Sequence, residues 1–145
     1  MSEQKAIWSF CGGEGGRGKS VAAANIACGL ALTGERVLLV DAGPLGPGLH
    51  AYFGMESPSV VFDDFLSGKA ASLADVSCET GVKGLRLISN GAGFLGMADP
   101  GFPQRQRLLK QAWDLDAGHI IVDLGPCASG NLFDFFSLSN KSIIV

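Results

Sequence analysis

Gly13-Glu14-Gly15-Gly16-Arg17-Gly18-Lys19-Ser20 fills every required position of the pattern G-x-x-x-x-G-K-[ST]. Each letter answers a physical need. The glycines let successive backbone N–H groups curl around the α- and β-phosphates of a nucleotide, Lys19 is placed to reach the β/γ oxygens, and the Ser20 hydroxyl suits Mg²⁺. The flanks agree. Ala6 to Cys11 reads as a strand entering the loop, and Val21 to Leu32, rich in Ala and Leu, reads as a helix whose N-terminus points at phosphate. A glycine-rich turn with a chance Lys-Ser would explain the glycines but not this strand-loop-helix setting. The stretch therefore implies ATP or ADP with Mg²⁺, held by Gly13 to Ser20.

The same letters also satisfy G-x-G-x-x-G, the dinucleotide fingerprint, through Gly13, Gly15 and Gly18, with Asp41 near the distance of a ribose-binding acid. Lys19 and Ser20 separate the two readings. A pyrophosphate held by backbone amides does not need them, whereas a Mg-nucleotide does. Further on, His119-Ile120-Ile121-Val122-Asp123 has the form of a Walker B strand, apolar residues ending in an acid that holds a water of the Mg²⁺ shell. Ser20, Asp41 and Asp123 are thus the candidate metal-site residues.

The 145 residues are about one domain's worth of chain, 47% hydrophobic, with 21 glycines and a net charge of −3. A pI near 5.2 leaves no basic footprint for nucleic acid. The mean hydropathy is positive at +0.29, yet the longest mostly apolar stretch, Val21 to Leu32, is far shorter than the ~20 residues a bilayer demands, and it contains Asn25. It reads as a helix buried against a sheet. The polar start, Met1 to Lys5, has no signal-peptide character, so the expected setting is the cytoplasm. Cys11, Cys28, Cys78 and Cys127 lack C-x-x-C spacing and are expected as reduced thiols. His50 and His119 have no ligand-spaced companions.

Strand-like and helix-like segments alternate along the chain, which predicts an α/β fold: a doubly wound, mostly parallel sheet of about five strands with helices on both faces. After the Thr33-Gly34-Glu35 helix stop comes a strand at Arg36 to Asp41, and then a Gly/Pro loop from Gly43 to Gly48. Helices are expected at Val60 to Leu66, its start charged by Asp63 and Asp64, and near Leu73 to Val76. A third strand runs from Leu85 to Ser89, followed by a glycine-rich loop from Asn90 to Gly96. In the helix Pro103 to Trp113, Leu108, Leu109, Ala112 and Trp113 share one face, and Arg105, Arg107 and Lys110 read as a solvated surface, with a partner-binding face as the alternative. Lys141 to Val145 reads as a fifth strand. The expectation is a single nucleotide-binding domain over 1–145 that lacks the C-terminal part, where the base would be gripped and a membrane-targeting tail would lie.

The chain resembles the MinD/ParA group of P-loop ATPases, whose phosphate loop has the form K-G-G-x-G-K-[ST]; Gly15 to Ser20 supply all but its first letter. The resemblance continues through Asn25, Val37 to Asp41, Gly48-Leu49-His50, Phe65 to Gly68, Gly84 to Ile88, Leu95 to Pro100 and Val122 to Gly125. The middle segments are most similar to the FlhG/FleN-like flagellar-placement branch. The resemblance implies an ATP-dependent switch that positions cellular structures, with nucleotide sandwiched in a homodimer or against a protein partner.

Three positions depart from that family. Its signature lysine, which reaches the partner's phosphates, falls on Glu14; a carboxylate ~6 Å from a phosphate charge at an effective dielectric of ~20 is unfavourable by about 3 kcal/mol per unit charge. Arg17 is the remaining cation in the loop that could substitute. The acid that positions the attacking water falls on Gly43, and a glycine of the loop after Asp123 falls on Cys127. Together these imply slow or absent hydrolysis. A kinship with bacterial tyrosine kinases fits less well, because Tyr52 is the single tyrosine where those carry a cluster.

Overall fold

Short runs of Val, Ile and Leu build the strands of this computed structural model, which describes residues 5–12, 18–43, 48–90, 102–126 and 139–145. The strands are β1 (Ala6–Gly12), β2 (Val37–Asp41), β3 (Ser77–Glu79), β4 (Leu85–Ile88), β5 (His119–Pro126) and β6 (Lys141–Ile144). They form one six-stranded sheet in the order β3-β4-β2-β5-β1-β6. Every pairing is parallel except β3 with β4, which is antiparallel. The sheet therefore has the expected class but one more strand than the sequence reading. Three residues, Ser77-Cys78-Glu79, are too short and too polar to announce a strand.

All five residues of β2 are buried, as a parallel strand covered on both faces requires. On one face, Phe10, Leu39 and Ile121 pack against Ala23, Ala27 and Ala31 of α1 (Lys19–Leu32). Alanine is the residue that lets this helix lie close to the sheet. On the other face, Leu38, Val40, Ile120 and Val122 meet Phe62 and Phe65 of α2 (Phe62–Leu66) and Leu108 and Ala112 of α3 (Phe102–Asp114). Helices on both faces make the sheet doubly wound.

Four expectations change. Arg107 is not a solvated charge: its Nη1 donates to the Phe65 carbonyl at 3.0 Å and its Nη2 to the Ala70 and Ala71 carbonyls at 2.9 and 2.8 Å. The guanidinium carbon also lies 4.3 Å from the Phe65 ring centroid, so α3 grips the segment after α2. Trp113, by contrast, is half exposed at the end of α3 rather than part of its buried face. The short helix expected near Leu73 is a single 3-10 turn, Ala74–Val76. Cys28 and Cys78 are free thiols, but Cys11 is disulfide-bonded.

Asp64 behaves as expected, its Oδ2 accepting the Val61 N–H at 3.1 Å at the start of α2. Lys5 closes the opposite end of α3, where its ammonium donates to the carbonyls of Ala112, Trp113 and Leu115 at 2.5 to 3.1 Å. That is the favourable end of the helix dipole for a cation.

Candidate nucleotide-binding site

Parallel strands deliver their C-terminal ends to one edge of the sheet, and that is where the motif residues converge. Gly18 begins α1 in the left-handed region, φ 83°, a conformation that L side chains rarely adopt. A Cβ there would meet nothing within 4 Å, so the backbone, not space, demands the glycine. At Gly12 the demand is space. A Cβ there would overlap the Val145 carbonyl oxygen and lie 2.9 Å from Lys19 Cδ and 3.3 Å from Lys19 Nζ. Lys19 is only 5% exposed, so its stem runs back along the end of β1 instead of out into water.

Ser20, the next residue of α1, donates its hydroxyl to Asp123 Oδ2 at 2.5 Å. Asp123 is 2% exposed and its Oδ1 accepts the Gly125 N–H at 3.2 Å. Asp41 ends β2 directly opposite Asp123 in the parallel register. Its Oδ1 accepts from the Gly43 N–H at 3.3 Å and its Oδ2 from the Leu49 N–H at 2.8 Å. Burial raises the Asp41 pKa to about 6, and the neighbouring Asp123 charge adds to the rise against the two backbone hydrogen bonds. One hydroxyl and two buried carboxylates form a hard oxygen set, the kind Mg²⁺ takes in part through water. The donors fit the group.

Gly43 faces Gly125: a Cβ at Gly43 would sit 3.6 Å from Gly125 Cα and 3.7 Å from Asp41 Oδ1, ordinary contact distances. The chain beyond Gly43 returns at Gly48 and makes the 3-10 turn Leu49–Phe53. Asn90, just past β4, donates its Nδ2 to the Gly43 carbonyl at 2.8 Å. Sequence reading missed Asn90, Gly48 and the Leu49 amide as parts of this corner. Asn90 stood only as the start of a glycine-rich loop, and Gly48-Leu49-His50 only as a stretch of family resemblance, neither with a role at the site. Gly13, Glu14, Gly15, Gly16, Arg17 and Cys127 lie outside the described residues. No group of three or more His, Cys, Asp or Glu residues spaced to hold a metal is found among the described residues. A cleft of about 610 Å³, bordered by Arg36, Gly84, Arg86 and Asp116 among others, lies at the opposite end of the strands, away from these groups.

The fold and this constellation define a P-loop nucleotide-binding domain. Residues 8–125 match the CobQ/CobB/MinD/ParA nucleotide binding domain, and the chain belongs to that family. It is 34% identical over 86 residues to an uncharacterized ATP-binding protein of Methanocaldococcus jannaschii, a match covering 59% of this chain and 32% of that protein. Among solved structures it is similar to the septum site-determining protein MinD of Pyrococcus horikoshii, complexed with Mg-ADP: TM-score 0.82, 22% identity, 98% of this chain and 58% of that one. The kinase domain of the Escherichia coli tyrosine kinase ETK is also similar, with TM-score 0.80, 22% identity, 100% of this chain and 56% of that one. At these identities the two structures establish the shared fold. The chain thus spans about a third of the curated relative and under three fifths of the structural ones. Among the described residues no helix is long and apolar enough to cross a membrane.

Proposed function

We propose that this chain binds Mg-ATP and Mg-ADP through Gly13 to Ser20, with Ser20, Asp41 and Asp123 around the metal, and that it acts as a nucleotide-dependent spatial or assembly regulator with slow or absent hydrolysis. The observation that carries the reading is the meeting of Ser20 Oγ and Asp123 Oδ2 at 2.5 Å beside Asp41. A bound Mg²⁺ supplies charge neutralisation for the phosphates. Lys19, buried along β1, supplies a cation at the phosphate end, and Gly18 opens α1 so that its first amides face an anion. The dinucleotide alternative leaves the buried Lys19 and the Ser20–Asp123 contact without a purpose.

Weak turnover is supported by Gly43, which has no side chain with which to orient a water, and by Glu14 in place of the family lysine. With catalysis lost at these two positions, what remains is a regulatory module that responds to nucleotide by binding a partner. Within this reading residues 1–145 make a single nucleotide-binding domain, and it is set in the cytoplasm, where nucleoside triphosphates are available. The FlhG/FleN-like branch is its proposed place in the family, resting on the middle segments. The decisive experiment is thermal unfolding with Mg-ATP, Mg-ADP and NAD. Stabilisation by the first two and not by NAD supports the reading; stabilisation by NAD that survives Lys19→Ala overturns it.

A further inference from the structure

Asp41 is 4% exposed, and both of its carboxylate oxygens are held by amides of the segment that leaves β2, Gly43 and Leu49. Where that segment lies decides where the carboxylate points. One side chain bonds one of its ends and lies close to the other. Asn90 Nδ2 holds the Gly43 carbonyl at 2.8 Å, and Asn90 Oδ1 lies 3.2 Å from the point a Gly48 Cβ would occupy. Gly48 has φ −62° and ψ 157°, ordinary extended backbone, so its glycine answers to close approach and not to conformation. The same Cβ would lie 2.5 Å from His50 Nδ1. Asn90 is itself anchored, because the preceding Ser89 carbonyl accepts the Phe62 N–H of α2 at 2.7 Å. His50 Nδ1 and Ser89 Oγ are buried and find no hydrogen-bond partner among the described residues.

We propose that Asn90 is a positioning residue: its carboxamide holds residue 43 and lies close against Gly48, so that the Asp41 carboxylate is presented to the metal of a bound Mg-nucleotide. The proposal rests on the nucleotide-site reading above. Asn90 acts through residue 43, whose carbonyl accepts from Nδ2 and whose N–H, in the preceding peptide unit, donates to Asp41, as outer partners orient metal ligands elsewhere; loss of such partners commonly lowers metal affinity by about tenfold or more. The effect belongs to the metal and not to the phosphates, which fall to Lys19 and the loop.

The test is calorimetric titration of the full chain with ADP, once with Mg²⁺ and once with EDTA. Asn90→Ala and the isosteric Asn90→Asp, which replaces the donor with an acceptor, should raise the Mg-ADP Kd about tenfold and leave the metal-free ADP Kd unchanged. Gly48→Ala should do the same through its Cβ alone, with no polar group removed. Lys19→Ala should weaken both titrations. Equal weakening of both by Asn90→Ala, or wild-type Mg-ADP binding by Asn90→Ala and Gly48→Ala, overturns the proposal. A wild-type chain that binds neither ligand overturns the nucleotide reading and the proposal with it. Should a variant not fold, hydrogen exchange in the wild type decides. Mg-ADP, and not ADP in EDTA, should slow the Gly43 and Leu49 amides, and equal exchange in both overturns the proposal.

Discussion

The Ser20 hydroxyl and the Asp123 carboxylate, 103 residues apart in the chain, meet at 2.5 Å across the mouth of the sheet. Ser20 is the second residue of α1 and Asp123 lies in β5, so the contact links the helix after the glycine-rich loop to the strand proposed to carry the metal-site acid. Asp123→Ala should remove the Mg²⁺-dependent part of nucleotide affinity while metal-free ADP binding persists. Titration with and without EDTA measures the difference, and a variant with undiminished Mg²⁺ dependence contradicts the assignment of Asp123.

Lys19→Ala should abolish the rise in melting temperature produced by Mg-ATP or Mg-ADP, because a ligand stabilises only as far as it binds the native state. NAD should produce no rise in either protein. Scanning fluorimetry across a ligand series reads this directly.

Steady-state phosphate release should sit near background in the unmodified chain, since losing an orienting group or a transition-state charge typically costs about 10²-fold or more. At Gly43→Asp the new Cβ meets only ordinary contacts, 3.6 Å from Gly125 Cα. Combined with Glu14→Lys it should raise turnover and favour an ATP-dependent dimer in sedimentation. Full activity and dimerisation of the unmodified chain would show instead that another group, such as Arg17, supplies the charge.

The pH dependence of metal-free stability should carry the mark of Asp41. Its folded pKa, about 6, is raised above the ordinary 3.8 chiefly by burial. The protonated form is therefore the one that folding favours: this contribution is fully present below pH ~4 and is lost as pH rises through ~6, about 3 kcal/mol for two units. In EDTA, the difference in unfolding free energy between wild type and Asp41→Asn should shift by that order across the window, with wild type the loser at higher pH. A pH-independent difference refutes the burial of an ionised Asp41.

Arg107→Ala should destabilise the fold by about 2–3 kcal/mol, since three carbonyls lose a charged donor and Phe65 loses its cation. Arg107→Lys should recover less than half, because an ammonium lacks the planar fork that reaches all three. Denaturant melts of the two variants give both numbers.

The sequence alone determined the class of fold and the candidate phosphate and metal groups. Both are written locally: the loop Gly13 to Ser20 is contiguous, and buried parallel strands appear as short apolar runs such as Val37 to Val40, ended by an acid. Tertiary structure alone decided the rest. The antiparallel strand Ser77–Glu79 forms because β4 offers it an edge, not because its residues favour a strand. Arg107 carries the same letters on a solvated helix face and in a clamp, and only the packing of α3 over the segment after α2 distinguishes them. Asn90 reaches Gly43 across 47 residues because β4 and β2 are neighbours, a fact no pattern along the chain contains. Local chemistry is legible in the order of residues; contacts between strand ends are set by the order of strands in the sheet.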